Sequence, residues 1–228
     1  MGKAGSEGID PGQCQHAGGE SAGVWARPEG AGVATLILAH GAGAPMDSPF
    51  MTQIAENLAA LGVSVVRFEF AYMAARRTDG RKRPPAPQAR LLEEWRQCYR
   101  QVREQVDGPL AIGGKSMGGR MASLLADELG VDALVCLGYP FHAVGKVDKP
   151  RVAHLADLRT PTLIVQGERD PMGGRERVAG YCLAPAITLH WLAAADHDLK
   201  PLQRSGFNHE QHLAAAAQAV SGFLSGLA

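Results

Sequence analysis

The chain has 228 residues, of which 46% are hydrophobic and 20% charged, and its 23 basic side chains are matched by 23 acidic ones. This length and apolar content predict one folded domain with its own core, and they exclude a wholly disordered chain. A formal net charge of zero gives no field that would attract nucleic acid, and no uncharged apolar run approaches the roughly 20 residues that cross a bilayer. Four widely spaced cysteines fit a reducing compartment. We therefore expect a cytoplasmic protein with neither a nucleic-acid nor a membrane partner.

The chain begins with a glycine-rich stretch and then alternates between strands and helices. Residues 1–22 lack periodicity, which is typical of a flexible tail, and we expect a single domain over 23–228. The apolar run at 33–40 is suited to a strand buried on both faces of a parallel sheet. A helix then begins at Pro49, and its apolar residues recur at steps of three and four as far as Gly62.

The same alternation continues to the end of the chain. Helices are predicted at about 88–106, through Met121 to Gly130, and from Leu213 to Leu224. Further strands are predicted at 63–70, 110–114, 132–140, 160–170 and 187–197. Strands that alternate regularly with helices predict an α/β fold, with a mostly parallel central sheet flanked by helices.

A G-x-S-x-G motif occupies residues 114–118, where a predicted strand gives way to a helix. In this motif the serine lies on a sharp, strained turn, and the flanking positions tolerate little beyond glycine. The turn holds the Ser116 hydroxyl above the sheet, and the backbone N–H of Met117 points to where an oxyanion would form. Because the motif has an apolar strand before it and an amphipathic helix after it, it favours a nucleophile over a glycine-rich turn with an incidental serine.

An acid and a base follow at the ends of two later strands. Serine is a poor nucleophile without a base, and the base needs an acid that orients it. Asp170 lies in QGERDP and His197 in ADHDLK, and the carboxyl ends of parallel strands meet at one edge of a sheet. We therefore expect Ser116 as nucleophile, Asp170 as orienting acid and His197 as base. The simpler alternatives are a turn former for Asp170 and a solvated loop residue for His197.

The other histidines are assigned less direct roles. The glycine-rich HGAGAP after the first strand predicts a second oxyanion donor, the N–H of Ala42, and gives His40 an architectural role. His142 could line a substrate pocket, although a loop role fits it better. Four more are expected at the surface: His16, His154, His209 and His212. No group of histidines or cysteines has the spacing of a metal site, so we predict neither a metal nor a cofactor.

Residues 76–90, RRTDGRKRPPAPQAR, carry six Lys or Arg side chains, one Asp and three prolines. One interpretation is a solvated excursion between a strand and a helix. The other is a lid or rim whose cations, among them Arg76, Arg77 and Arg81, attract an anionic substrate. The sequence leaves both open.

Two charged residues interrupt the preceding apolar strand. Arg67 and Glu69 are two positions apart, so their side chains are expected on the same face of the strand. We favour a buried ion pair between them over a part for Glu69 in the functional site.

Several of these stretches resemble α/β-hydrolases. More narrowly, they resemble lidless bacterial predicted hydrolases similar to the hydrolase-like domain of testis-expressed and non-specific-lethal-complex regulatory proteins. The matching stretches span about residues 33–200: LILAHGAGAPMDSPFM, VRFEFAYMAARRTDGRKRPP, IGGKSMGGRMAS, CLGYPFH, LRTPTLIVQGERDP and DHDLK. The resemblance implies a nucleophilic Ser116, the acid Asp170, the base His197 and oxyanion donors near Ala42 and Met117. It also implies that the basic segment belongs to the family pattern, whereas AVGKVDKP after PFH departs from it.

Two functions remain open at this point. The first is a serine hydrolase that cleaves a small-molecule carboxylic ester or thioester through an acyl-enzyme on Ser116. The alternative is a catalytically silent interaction module on the same fold. No large cap insertion precedes Asp170, which favours an open cleft. We expect a monomer or a small homo-oligomer, and the sequence does not identify the acyl or alcohol portion of the substrate.

Overall fold

The computed structural model describes residues 23–227, which fold around one seven-stranded sheet with the order β1-β3-β2-β4-β5-β6-β7. Strand β1 pairs antiparallel with β3 at one edge, and every other pairing is parallel. The predicted α/β fold class is thereby confirmed. The strands are β1 Val24–Ala26, β2 Ala34–Ala39, β3 Val63–Phe68, β4 Leu110–Lys115, β5 Ala133–Leu137, β6 Thr162–Gly167 and β7 Ile187–Leu192.

Helices cover both faces of the sheet. They are α1 Pro49–Ala60, α2 Ala71–Asp79, α3 Gln88–Arg103, α4 Met117–Ser123, α5 Ala126–Leu129, α6 Arg175–Val178 and α7 His209–Ser225. The helices differ from expectation in three places, one of which is α6, a four-residue helix that was not predicted. The single helix predicted up to Gly130 is divided into α4 and α5. Helix α2 was not anticipated, because it buries only Tyr72 and Met73 and therefore lacks an apolar stripe in the sequence.

The core consists of two apolar layers, one on each face of the sheet. Leu36 and Leu38 of β2 pack on the side of α1 and α7, whereas Ile37 between them packs on the side of α3 and α4. This alternation follows from the two-residue period of a strand. Both faces are therefore apolar, and each fully buried leucine stabilises the fold by about 1.5–3 kcal/mol.

The connection between β5 and β6 is short. Its only regular element is one turn of 3-10 helix at Ala153–Leu155, so no cap domain is inserted there, as predicted. Across residues 23–227 every helix is too short or too polar to traverse a bilayer. Residues 1–22, predicted as a flexible tail, lie outside the described residues.

Candidate active site

Ser116 lies on a strained turn between β4 and α4. Its φ of 51° and ψ of −113° are uncommon for any residue with a side chain. A Cβ at Gly114 would lie 2.6 Å from the carbonyl oxygen of Ala39, and one at Gly118 would lie 2.5 Å from the same oxygen. Only glycine therefore lets the turn approach the end of β2 this closely.

The structure brings Ser116, His197 and Asp170 together. The Oγ of Ser116 is 2.8 Å from Nε2 of His197, and Nδ1 of His197 is 2.7 Å from Oδ2 of Asp170. The Asp170 carboxylate is fully buried and also accepts hydrogen bonds from Nε2 of Gln166 (2.8 Å) and N–H of Met172 (2.7 Å). Because a carboxylate only accepts, Nδ1 of His197 carries the proton in this pair and Nε2 is free to accept from the serine hydroxyl.

Backbone strain is concentrated around these side chains. Among residues 23–227, three non-glycine residues have a positive φ: Ser116 (51°), Ala194 (54°) and Leu199 (58°). The last two flank the loop that carries His197. Each such conformation costs about 1–3 kcal/mol, and it persists because the surrounding structure enforces it.

Lys115, next to the serine, is a buried cation that the sequence analysis did not single out. Its Nζ donates to the backbone carbonyl of His197 (2.8 Å) and lies 3.1 Å from Oδ1 of Asp198. Burial lowers the pKa of Lys115, and the Asp198 carboxylate partly opposes that shift. The contacts join the Ser116 turn to the loop that carries His197. The position of Lys115 inside the G-x-S-x-G motif is the sequence signal that could have identified it.

The loop that carries Ala42 is held by two side chains. Tyr72 donates its hydroxyl to the Ala42 carbonyl at 3.0 Å, and burial raises the Tyr72 pKa, so this donor keeps its proton. Nε2 of His40 accepts the N–H of Phe70 at 3.1 Å, which leaves Nδ1 to donate to the Gly41 carbonyl at 2.6 Å. Burial lowers the His40 pKa, so the ring is held neutral. These contacts fit the architectural role expected for His40.

The basic segment, residues 76–90, is largely engaged within the protein. Arg77 contacts both oxygens of Asp47 at 2.8 Å and also donates to Glu69 at 2.8 Å, which raises its pKa. Arg76 reaches the Gly43 carbonyl at 3.4 Å, and Arg81 is exposed. The segment therefore anchors the loop after β2, and the attraction of substrate by its cations stays a prediction.

The ion pair expected between Arg67 and Glu69 is wrong. Arg67 donates to the Met46 carbonyl (3.1 Å) and to Oγ1 of Thr52 (2.7 Å), whereas Glu69 binds Arg77. Both side chains reach the same residue, because Glu69 accepts the N–H of Met46 at 3.1 Å while Arg67 contacts its carbonyl, but each has a different charged or polar partner.

The surface position expected for His212 is also wrong. It is 4% exposed and contacts the Leu199 carbonyl through Nδ1 at 3.1 Å, because it lies on the inward face of α7. His154 is half-buried beside Ser123, and burial lowers its pKa. His16 lies outside the described residues. His142 is buried and contacts the Ala143 carbonyl at 3.0 Å.

Two cavities open beside Ser116. The first, which we call the arginine cavity, has about 300 Å³. Its walls include Ala42, Pro85, Met117, Arg120 and Arg151. The second, the lysine cavity, has about 320 Å³, and its walls include Ala42, Phe50, Lys115, His197 and Asp198. Ala42 and Ser116 border both cavities, and Met117 borders the arginine cavity, so the two proposed oxyanion residues line one cavity together with the serine. His142 is not among the residues that line either.

Comparison with known proteins agrees with this architecture. Residues 32–225 match the family model described as an alpha/beta hydrolase domain. An α/β serine hydrolase homologue from Coxiella burnetii is 19% identical, with a TM-score of 0.67 over 97% of this chain and 98% of its own. A lidless α/β serine hydrolase from Xanthomonas campestris is 22% identical, with a TM-score of 0.66 over 87% of both chains. A dienelactone hydrolase from Anabaena variabilis is 23% identical, with a TM-score of 0.65 over 89% of this chain and 90% of its own. At these identities the likeness shows the fold.

Proposed function

The chain belongs to the α/β-hydrolase family, and on that premise we propose that it is a serine hydrolase that cleaves a carboxylic ester or thioester. The observation that carries this proposal is the pair of hydrogen bonds from Ser116 through His197 to the buried Asp170, at 2.8 and 2.7 Å. These side chains come from three separate loops at one edge of the sheet, and the serine opens into a cavity that a small acyl group could enter.

In the first half of the reaction, Oγ of Ser116 attacks the carbonyl carbon of the substrate while its proton moves to Nε2 of His197. The carbonyl oxygen becomes an oxyanion, which the N–H groups of Met117 and Ala42 stabilise. When the tetrahedral species collapses, His197 gives its proton to the departing alkoxide or thiolate, and an ester on Ser116 remains. The Asp170 carboxylate stabilises the imidazolium and, when the ring is neutral, fixes the tautomer with the proton on Nδ1.

In the second half, water replaces the alcohol. His197 takes a proton from the water as its oxygen attacks the acyl-enzyme, and returns that proton to Oγ of Ser116 as the carboxylic acid leaves. No cap domain covers the site, so water can enter it from the open side. Lys115 acts as a positioning residue, because it holds the carbonyl of His197 at 2.8 Å.

A fluorophosphonate probe tests the nucleophile. We expect the wild type to be labelled and Ser116→Ala to remain unlabelled, with Ser221→Ala on α7 as a control that labels normally. Labelling of Ser116→Ala at the wild-type rate would contradict the assignment. If the wild type is not labelled, the catalytically silent interaction module becomes the better description.

The chemical class of the substrate needs a second experiment. Hydrolysis of p-nitrophenyl esters and of acyl-CoA thioesters of matched chain length compares the two leaving groups at the same acyl portion. We expect turnover of at least one series, abolished in Ser116→Ala. Turnover that survives in Ser116→Ala would place the chemistry elsewhere.

A further inference from the structure

The arginine cavity brings two guanidinium groups to the nucleophile. Arg120 is on α4, four positions after Ser116, and its backbone N–H donates to the Ser116 carbonyl at 3.0 Å. Arg151 comes from the β5–β6 connection, where its backbone N–H donates to the Phe141 carbonyl (2.7 Å) and its carbonyl accepts the Tyr139 hydroxyl (2.9 Å). Both arginines therefore extend from hydrogen-bonded backbone, and both line the same cavity of about 300 Å³.

Neither guanidinium is neutralised. Among residues 23–227, no carboxylate lies within 4 Å of Arg120 or Arg151. Arg120 donates from Nη2 to the neutral amide of Gln88 at 3.1 Å, and its Nε is buried without an acceptor. Burial lowers the Arg120 pKa and the nearby Arg151 lowers it further. A guanidinium nevertheless keeps its charge in proteins, so the cavity holds two positive charges that repel each other.

Two neighbouring guanidinium groups without a carboxylate partner can be neutralised by a bound anion. The planar guanidinium fork matches the two oxygens of a carboxylate, and charge-assisted bonds of this kind are about twice as strong as neutral ones. The apolar walls contributed by Pro85, Leu91 and Met121 suit a short hydrocarbon chain between the anion and the scissile carbonyl.

From this arrangement we propose that the ester or thioester cleaved at Ser116 carries a carboxylate, which binds between Arg120 and Arg151 in the arginine cavity. The proposal rests on the proposed hydrolase function and adds the substrate class to it. It also assigns the binding of an anionic substrate to Arg120 and Arg151, which lie outside the basic segment.

Paired substrates provide the first test. Mono-p-nitrophenyl adipate carries a terminal carboxylate, and p-nitrophenyl heptanoate is a neutral chain of similar length. We expect a higher kcat/KM for the adipate, and Arg120→Gln and Arg151→Gln should each lower that value roughly tenfold or more. Hydrolysis of the heptanoate should change less than about twofold. Arg120→Lys should retain part of the preference, and the exposed Arg204→Gln is the control.

A binding measurement separates this proposal from the hydrolase proposal. Isothermal titration of Ser116→Ala with adipate, and with the uncharged adipamide, reports the anion site without turnover. We expect adipate to bind, adipamide to bind at least tenfold more weakly, and adipate binding to be lost when Arg120→Gln or Arg151→Gln is added. Melting temperatures of all variants show whether they fold.

The outcomes are distinct. If neutral esters are hydrolysed at least as well as anionic ones, or if the arginine variants lower both equally, the carboxylate proposal is overturned while the hydrolase proposal stands. If adipate binds through the arginines but no ester is hydrolysed, the anion site stands and the hydrolase proposal fails. Absence of both adipate binding and anionic preference overturns the anion site.

Discussion

Two arginine-bearing regions border the edge of the sheet where Ser116 lies, and they differ in what their cations contact. In the basic segment, Arg77 forms ion pairs with Asp47 and Glu69, and Arg83 forms one with Asp79. In the arginine cavity, Arg120 and Arg151 face no carboxylate within 4 Å among residues 23–227. The basic segment has more cations than the arginine cavity, but it is the region whose arginines form ion pairs within the fold.

The difference shows that a run of like charges in a sequence does not locate an electrostatic field. A field at a site depends on which charges lack a partner, and partners come from distant parts of the chain. Asp47 lies 30 positions before Arg77, and Arg120 and Arg151 are 31 positions apart in the sequence. The basic segment does border the arginine cavity, but through Pro85, Ala86 and Gln88, which carry no charge.

The largest effect on kcat is expected from a change that should affect anionic and neutral esters equally. Asp170→Asn removes the negative charge that stabilises the His197 imidazolium and replaces one of the two accepting oxygens with a donating NH2, so kcat should fall roughly 10⁴-fold. Because this change acts on the proton transfer and on neither arginine region, anionic and neutral esters should lose activity by the same factor. Steady-state kinetics on both esters measure this, with the exposed Asp157→Asn as the control. Unequal losses would mean that Asp170 also contributes to substrate selection.

Arg77→Met tests the basic segment as a structural anchor. The side chain of Glu69 is 3% exposed, so loss of its cationic partner leaves a buried carboxylate poorly compensated. We expect a loss of about 2 kcal/mol in the free energy of unfolding, measured by urea titration. Arg77→Lys should recover part of it. The ratio of anionic to neutral ester hydrolysis should not change; a fall in that ratio would return substrate recognition to the basic segment.

The environment of Lys115 is intermediate between those of the two arginine-bearing regions, because its side chain is buried but forms an ion pair with the exposed Asp198. Lys115→Met keeps the side-chain length and loses the hydrogen bond to the His197 carbonyl, so kcat should fall roughly tenfold for both esters. The melting temperature should stay close to that of the wild type, because an apolar side chain suits the buried position. The exposed Lys146→Met serves as the control. A large drop in melting temperature with unchanged kcat would assign Lys115 to stability instead.

His40 shares the anchoring role of the basic segment, and its effect depends on pH. Its folded-state pKa is lowered from 6.5 by burial, which the neighbouring Glu69 and Glu94 carboxylates only partly oppose. The unfolded chain therefore binds this proton first as the pH falls. Stability from the neutral ring is complete above about pH 6.5 and is lost below it. Urea unfolding at pH 8 and 5.5 should show a smaller decrease for His40→Gln than for the wild type. Equal decreases would mean that His40 does not titrate on unfolding.

The smallest effect is expected from the exposed cations of the basic segment. Combined Arg81→Gln and Lys82→Gln should change the free energy of unfolding by less than about 0.5 kcal/mol. The preference for adipate over heptanoate esters should also be unchanged if Arg120 and Arg151 carry it. A clear rise in KM for the adipate ester alone would support the rim interpretation of this segment.

The sequence predicted what depends on local patterns. Strands β2, β4 and β6 are apolar runs that end in glycine or reactive residues, and the G-x-S-x-G spacing identified the Ser116 turn. Asp170 and His197 could be placed near it because parallel strands end at one edge. Three elements were not predicted because their signals are weak: β1 has three residues, α6 has four, and α2 buries only two side chains.

What the sequence could not provide was pairing over long distances. The choice of Arg77 as the partner of Glu69 depends on α2, which carries Arg77 and was not predicted, and the cavity that joins Arg120 to Arg151 depends on how α4 faces the β5–β6 connection. Lys115 was visible in the motif, but its contact with His197 spans 82 positions.

The strained backbone at Ser116, Ala194 and Leu199 has a consequence for the history and engineering of this protein. All three positions would relax if the residue were glycine, and at Ser116 that substitution removes the proposed nucleophile. Variants selected for heat resistance alone would therefore accumulate changes at the site, and their thermal stability would rise while their activity fell. Enrichment screens on this scaffold need a turnover step in every round.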